Sequence, residues 1–269
     1  MPLTKATIRE LRDLGRKKDR EATGHFVVDG VRGVGEALRS SFSMLELFYT
    51  GILLTDAGGS ALVEEARKRA RLVHAITPRE MDQISDTMTA QGVLAVMQQK
   101  GWTLNEVLQE GDRASVVVAL DAVADPGNLG AIIRTCDWFG VDALILGHHS
   151  VELYNPKVVR STVGSIFHLP ILADIELFSL VSQAKRFGYT VCATAADGAT
   201  YIDNVHYAHK TLLLLGNEAW GISGLMMQAA DVRLAIRRYG AAESLNVGVA
   251  CGVLLASIRN IKTSSPDGG

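Results

Sequence analysis

Cysteine is scarce: the 269 residues hold three, Cys136, Cys192 and Cys251, far apart and without CxxC spacing. Such an arrangement offers neither a disulfide framework nor a zinc site, and it suits a reducing compartment. Net charge is nearly absent too, −2 from 27 basic and 29 acidic residues. No global field therefore draws the chain to a polyanion, and any nucleic-acid surface must be a local patch. No apolar run reaches the roughly 18 residues that span a bilayer. The opening MPLTKATIRELRDLGRKK has no apolar core behind its charges and is not a secretory signal. These absences predict a protein of the cytoplasm, or of an organellar matrix after maturation, with no membrane partner. What is present is a core: hydrophobic residues make up 48% of the chain and charged residues 21%, enough for two ordinary domains.

The first domain is expected over residues 1–100. Leu3 to Arg20 has helical period, with Ile8, Leu11 and Leu14 on one side. Lys5, Arg9, Arg12, Arg16 and Arg20 follow one another at spacings of three or four and line a stripe of that helix. A stripe of cations is either a solvated face or a surface that tracks RNA phosphates. Short apolar runs follow (HFVVDG, LELFYTGILLT, LVHAITP), separated by helical stretches over residues 30–40 and 60–70 and closed by the strand QGVLAVMQQK. Alternation at this length predicts a small α/β domain.

Residues 101–114 carry few apolar side chains and are expected to form a linker with a helical turn, before a second domain over 115–262 and a disordered tail at 263–269. The second domain has strongly apolar runs: SVVVALD, DALILG, HLPIL, TVCAT, TLLLLG and DVRLAI. Continuous Val, Leu and Ile imply strands covered on both faces, hence a mostly parallel sheet. Helices are expected over 129–139, 156–165, 175–187 and 245–260.

Three glycine-containing loops each follow an apolar strand, where open α/β sheets place a ligand crevice. In LDAVADPGNLGAIIRTCDWFG, Gly127 and Gly130 allow a tight turn into a helix for which Asn128 is a good N-cap, and Arg134 lies one turn beyond Gly130. The second loop, LLLLGNEAWGIS, carries Gly216, Asn217, Glu218 and Gly221. In the third, LAIRRYGAAESLNVGVACGVLLASI, Ser244 or Glu243 would cap a long helix rich in small residues. A dinucleotide-binding fold is the competitor for the first loop, but GNLG has the wrong spacing and the next strand ends in Gly147-His148 rather than an acid. Adjacent His148 and His149 have no third ligand near in sequence, so no metal site is expected.

In order and spacing, DPGNLGAIIRTCDWFG, LLLGNEAWGIS and ESLNVGVACGVLL resemble the three signature motifs of the SpoU-type (TrmH-like) RNA ribose 2′-O-methyltransferases of the SPOUT superfamily. YNPKVVRSTVGSIFHLPI resembles that family's Pro-Lys-x-x-Arg segment, and the early basic helix, GHFVVDGVRGVGEAL and QGVLAVM resemble the ribosomal-protein-like substrate-binding domain often fused ahead of it. The resemblance runs from Thr4 to Asn260. It implies a catalytic α/β domain with a deep trefoil knot, a homodimer, and S-adenosylmethionine held in the knot.

Carried onto this chain, the resemblance implies cofactor contacts from the backbone around Gly216, Ile236 and Leu245, with Thr194, Glu218, Ser244 and Asn246 shaping the pocket and Glu218 counted with Arg134 and Asn128 as catalytic. Away from these motifs Glu218 would read as a solvated loop carboxylate and Asn246 as a first-turn polar residue. Arg134 matches the catalytic arginine, with Asn128 beside it. An arginine side chain keeps its proton to above about pH 12, so Arg134 acts either as a base assisted by a substrate phosphate or as a cation stabilising the developing alkoxide. One departure stands out: Ile236-Arg237-Arg238 replaces the family's usual Ile-Pro-Met, adding two cations near the site. The implied activity is methylation of a ribose 2′-hydroxyl in RNA, with large-subunit ribosomal RNA the favoured target and transfer RNA the alternative. A non-catalytic ribosome-assembly factor and a nicotinamide-dependent oxidoreductase are the competing classes, separated by titration with S-adenosylmethionine and with NAD.

Overall fold

A computed structural model describes the chain except residues 1, 56, 88, 89, 109, 196–199, 218 and 265–269. The strands are β1 (His25–Asp29), β2 (Met44–Thr50), β3 (Leu72–Ile76), β4 (Val93–Gln98), β5 (Ser115–Leu120), β6 (Ala143–Gly147), β7 (Ile171–Ile175), β8 (Thr190–Thr194), β9 (Thr200–Tyr201), β10 (Lys210–Leu215) and β11 (Val232–Ala235). The α-helices are α1 (Lys5–Asp13), α2 (Lys17–Thr23), α3 (Val31–Arg39), α4 (Ala57–Arg69), α5 (Pro78–Ile84), α6 (Leu104–Val107), α7 (Pro126–Trp138), α8 (Pro156–Thr162), α9 (Leu177–Arg186), α10 (Gly224–Ala229) and α11 (Val247–Ser264). The chain divides into two compact units, residues 1–100 with 152–168, and residues 101–151 with 169–269.

In the first unit four strands run in the order β1-β4-β2-β3. The closing strand β4 is interior, antiparallel to both β1 and β2. The expected single basic helix is two. α1 stops at Asp13, Leu14 caps it, and Gly15 and Arg16 turn the chain into α2. α5 starts with a capping box: the Thr77 side chain accepts from the Glu80 N–H, and the Glu80 carboxylate accepts from Thr77 N–H at 2.8 Å and from Leu3 N–H at 2.7 Å. Those donors hold the Glu80 carboxyl below its usual range.

Residues 152–168 fall in the first unit rather than in the C-terminal domain where the sequence places them. The cause is aromatic packing. The Phe26 ring lies 4.4 Å from that of Tyr154 and 6.3 Å from that of Phe167, and Phe42 meets Phe167 edge-on at 5.0 Å. Each such pair contributes about 0.5–1.5 kcal/mol beyond its buried area.

The second unit is built on seven strands in the order β7-β6-β5-β10-β8-β11-β9, with every pairing parallel. β5, β6 and β10 are buried along their whole length, as their continuous apolar runs require. The segment expected as a linker does hold a helical turn, α6, but its Val107 and Leu108 are buried in this unit's core. α11 runs to Ser264, two residues into the expected tail; the rest of that tail lies outside the described residues. β9 and α10 have too few residues for a periodic pattern and were not anticipated.

The small residues of α11 meet α7 within the same chain. A Cβ at Gly248 would lie 3.3 Å from the Ala131 Cβ, and one at Gly252 3.7 Å from the Thr135 methyl. The two helices therefore approach closely along a stripe of small side chains, which sets the geometry of the site above them.

Candidate functional site

The parallel register aligns the carboxyl ends of the central strands. Leu215 pairs with Leu120, Leu214 with Ala193, and Thr194 with Leu234. Thr194, Gly216 and Ile236 thus come together at the ends of adjacent strands β8, β10 and β11, on the edge where open α/β sheets form a ligand crevice. Thr194 and Ile236 are half-buried. Gly216 has a specific reason to be glycine: a Cβ there would sit 2.1 Å from the Gly221 carbonyl carbon and 2.3 Å from the Ile222 nitrogen. The loop that folds back on it is closed by Asn217 N–H to Gly221 O at 3.0 Å and Gly221 N–H to Asn217 O at 2.9 Å.

The first and third loops meet through two asparagines. Asp125, not Asn128, is the N-cap of α7: its carboxylate accepts from the Asn128 N–H at 2.8 Å, with Pro126 at the first helical position. Aspartate fits there because the cap must accept from a residue three positions on, and the Asn128 side chain faces another partner. That partner is Asn246, whose Nδ2 donates to Asn128 Oδ1 at 2.9 Å across 118 residues of sequence. Asn246 also caps α11 in place of the expected Ser244 or Glu243. Its Oδ1 accepts from Gly248 N–H at 2.9 Å and Val249 N–H at 3.4 Å. The cap therefore fixes the amide orientation, leaving the NH₂ end to face Asn128. Ser244 and Leu245 are exposed just before it.

Arg134 is exposed on α7 and forms no ion pair with a described residue. Helical side chains tilt toward the N-terminus, so it leans toward the end of α7 that carries Asn128. Glu218 lies outside the described residues. The second loop joins the first at two points, Asn217 Nδ2 to Ala122 O at 2.7 Å and Ser223 N–H to Asp121 Oδ2 at 2.9 Å. Asn217, Asp121 and Asp125 are the residues that sequence reasoning missed as organisers of the site.

The departure at Ile236-Arg237-Arg238 is half explained. The Arg237 guanidinium lies 4.0 Å from the Tyr201 ring and 3.7 Å from Asp203 Oδ2. It is occupied by the unanticipated β9 segment, which pairs with β11 through Ala235 and Tyr201. Arg238 is exposed.

Burial keeps the Cys136 and Cys192 thiols neutral. It pushes Cys136 well above the usual thiol range, with neighbouring Cys251 adding to the effect, and raises Cys192 to about 12. His148 Nδ1 lies 2.6 Å from Asp174 Oδ1. Among the described residues no group of three or more His, Cys, Asp or Glu side chains could hold a metal ion.

The basic stripe of the first unit is shorter than its spacing implies. Lys5, Arg9, Arg12 and Arg16 are exposed and line one shallow recess. Asp13 lies 3.6 Å from Arg9 and 3.0 Å from Arg16. Arg20 does not belong to the stripe, which corrects its assignment as an RNA contact. It is 2% exposed; one guanidinium nitrogen donates to Leu14 O at 2.8 Å and another pairs with the Glu152 carboxylate. The chain turn at residues 14–16 rotates α2 out of the register of α1, which removes Arg20 from the exposed face.

A parallel α/β sheet whose loops converge beyond the carboxyl ends of its central strands defines a ligand-binding enzyme domain, here preceded by a smaller α/β unit. Residues 115–256 match the SpoU rRNA methylase family and residues 5–95 an MRM3-like substrate binding domain. A 23S rRNA (guanosine(2553)-2′-O)-methyltransferase, RlmP, of Bacillus subtilis (strain 168) is 31% identical over 94% of this chain and 95% of its own length. An AdoMet-bound rRNA methyltransferase from Sinorhizobium meliloti superposes with a TM-score of 0.83 at 29% identity, over 97% of both chains. AviRb of Streptomyces viridochromogenes, a SpoU methyltransferase solved with the cofactor AdoMet, gives 0.85 at 26% identity, over 97% of this chain and 99% of that one. The chain belongs to the SpoU rRNA methylase family.

Proposed function

We propose that this protein transfers a methyl group from S-adenosylmethionine to a ribose 2′-hydroxyl in large-subunit ribosomal RNA. The observation that carries the reading is the Asn246–Asn128 hydrogen bond, which joins the third loop to the helix bearing an exposed Arg134. The strand-end residues suit the cofactor: Gly216 lets backbone close on backbone where no side chain fits, half-buried Ile236 and exposed Leu245 offer apolar surface, and neutral Thr194, Ser244 and Asn246 complete the rim. That rim suits a neutral adenine ring. When bound, the cofactor supplies an electrophilic methyl on a sulfonium.

The protein's part is to hold the ribose hydroxyl in line and to accommodate its charge as the proton leaves. Solvent exposure favours a charged Arg134 that stabilises the developing alkoxide. Ribosomal RNA is favoured because a relative aligned over nearly its whole length carries that activity in its name. Lys5, Arg9, Arg12 and Arg16 would grip phosphates from the first unit. Free, buried thiols fit work in a reducing cytoplasm or organellar matrix.

Purified protein with labelled S-adenosylmethionine is expected to methylate ribosomal RNA from cells lacking the gene, and transfer RNA not at all; no incorporation into either, together with no cofactor binding by calorimetry, would favour the assembly factor. Repeating the RNA-binding measurement at rising salt reads the basic stripe: Lys5→Gln with Arg12→Gln should flatten the log–log salt slope by about 1.5, whereas an unchanged slope would make the stripe a solvated face.

We further propose a homodimer. Trp138 is 85% exposed at the end of α7, and Val249 and Val253 are exposed on α11 at 53% and 37%, an apolar face that a second copy would cover. Sedimentation as a 28.9 kDa monomer would exclude it. The passages of β10 between β5 and β8 and of α11 back onto α7 support a knotted C-terminal chain, testable by a crystallographic chain trace.

A further inference from the structure

We infer that Asn217 is a positioning residue for the transfer reaction, holding the first loop in a strained shape that sets the start of α7; this rests on the proposed methyl transfer. Asn217 is 8% exposed, and its amide is used at both ends. Oδ1 accepts from the Ala219 N–H at 2.8 Å, closing its own loop, while Nδ2 donates to the Ala122 carbonyl at 2.7 Å, 95 residues away in sequence.

Ala122 has φ +56, a left-handed conformation that a Cβ disfavours and that persists only where the surroundings impose it. Two contacts on either side do so here: Asn217 on the Ala122 carbonyl and the Ser223 N–H on the Asp121 carboxylate at 2.9 Å. Three residues further on, Asp125 begins the helix that presents Asn128 and Arg134. A buried hydrogen bond is stronger than an exposed one and leaves its acceptor stranded when lost. Loosening this tie therefore moves the helix start and, with it, the guanidinium relative to the ribose.

Asn217→Asp separates the two ends of the amide. It keeps an oxygen for the Ala219 N–H, so the loop beside Gly216 stays closed, and it sets an oxygen against the Ala122 carbonyl where a donor stood. The expected result has three parts. The kcat falls about tenfold or more, as displacement of a reacting group predicts. Affinity for S-adenosylmethionine by calorimetry stays near the wild-type value. Amide hydrogen exchange by mass spectrometry quickens over residues 122–128 but not over 210–216. Adding Ala122→Gly, which makes the left-handed turn accessible without the tie, should recover part of the lost kcat and slow the exchange again.

Unchanged exchange at 122–128 would overturn the inference, as would loss of cofactor affinity in proportion to kcat, or an Ala122→Gly background with no recovery. If the wild-type protein transfers no methyl group, the proposed function fails, and the exchange measurement still decides the role of Asn217.

Discussion

Arg134→Ala is expected to lower kcat by about 10²–10⁴, the range over which removal of one charge-stabilising or proton-transferring group acts. Binding of S-adenosylmethionine should persist, since the strand-end residues Thr194, Gly216 and Ile236 lie on other elements. Thermal stability should also hold, because the side chain is exposed and supports no other described residue. Arg134→Lys distinguishes the two roles of the guanidinium. A lysine keeps the charge but not the planar fork, so partial activity identifies electrostatic stabilisation, and activity rising steeply with pH identifies a base. Full activity of the alanine variant would remove Arg134 from the chemistry.

Arg20→Ala gives the second large effect, on stability rather than turnover. The guanidinium is enclosed, with Glu152 as its charge partner and Leu14 O as its second acceptor, and Nε has no hydrogen-bond partner among the described residues. Removing it strands a Glu152 side chain that is only 20% exposed. Loss of one member of a buried ion pair destabilises by about 3–5 kcal/mol, which lowers Tm by roughly 12–20 °C in a unit of this size. Replacing both members, Arg20→Met with Glu152→Leu, should restore much of the loss, because two apolar side chains leave no stranded charge. Differential scanning calorimetry measures both variants. A native Tm for Arg20→Ala, combined with weakened RNA binding, would return Arg20 to the surface stripe.

Three parts of the site are legible in the sequence, and for local reasons. Gly216 and Gly221 mark a tight turn in the sequence, Gly221 by its left-handed backbone and Gly216 by the absence of a Cβ where the loop closes on it. Asn128, Arg134, Ser244 and Asn246 sit in short motifs whose order matches a family pattern. The six long strands of the second unit announce themselves through apolar runs that solvent would not tolerate. The misreadings share a cause as well. Arg20 was assigned by a period that the turn at Gly15 interrupts, and period counting cannot see a break that leaves hydrophobic spacing nearly intact. Asn128 reads as a cap because asparagine caps well; Asp125 does so instead, and the Asn128 side chain meets Asn246. Arg237 reads as an added cation near the site, but the Tyr201 ring of the two-residue strand β9 and the Asp203 carboxylate just after it hold its guanidinium.

The sequence by itself determined the two α/β units, the parallel character of the larger sheet, the glycine loops at its strand ends and the family they belong to, because each depends on residues close together in the chain. Only the tertiary structure decided that β10 stands between β5 and β8, that Asn217 reaches Ala122 and Asn246 reaches Asn128, that Arg20 is buried, and that residues 152–168 pack with the first unit. Those outcomes depend on which apolar faces bury each other and on single hydrogen bonds closed across some 95 to 132 residues. Periodicity and propensity are blind at that range, because the partner that satisfies a buried polar group is chosen by packing and not by neighbours in sequence.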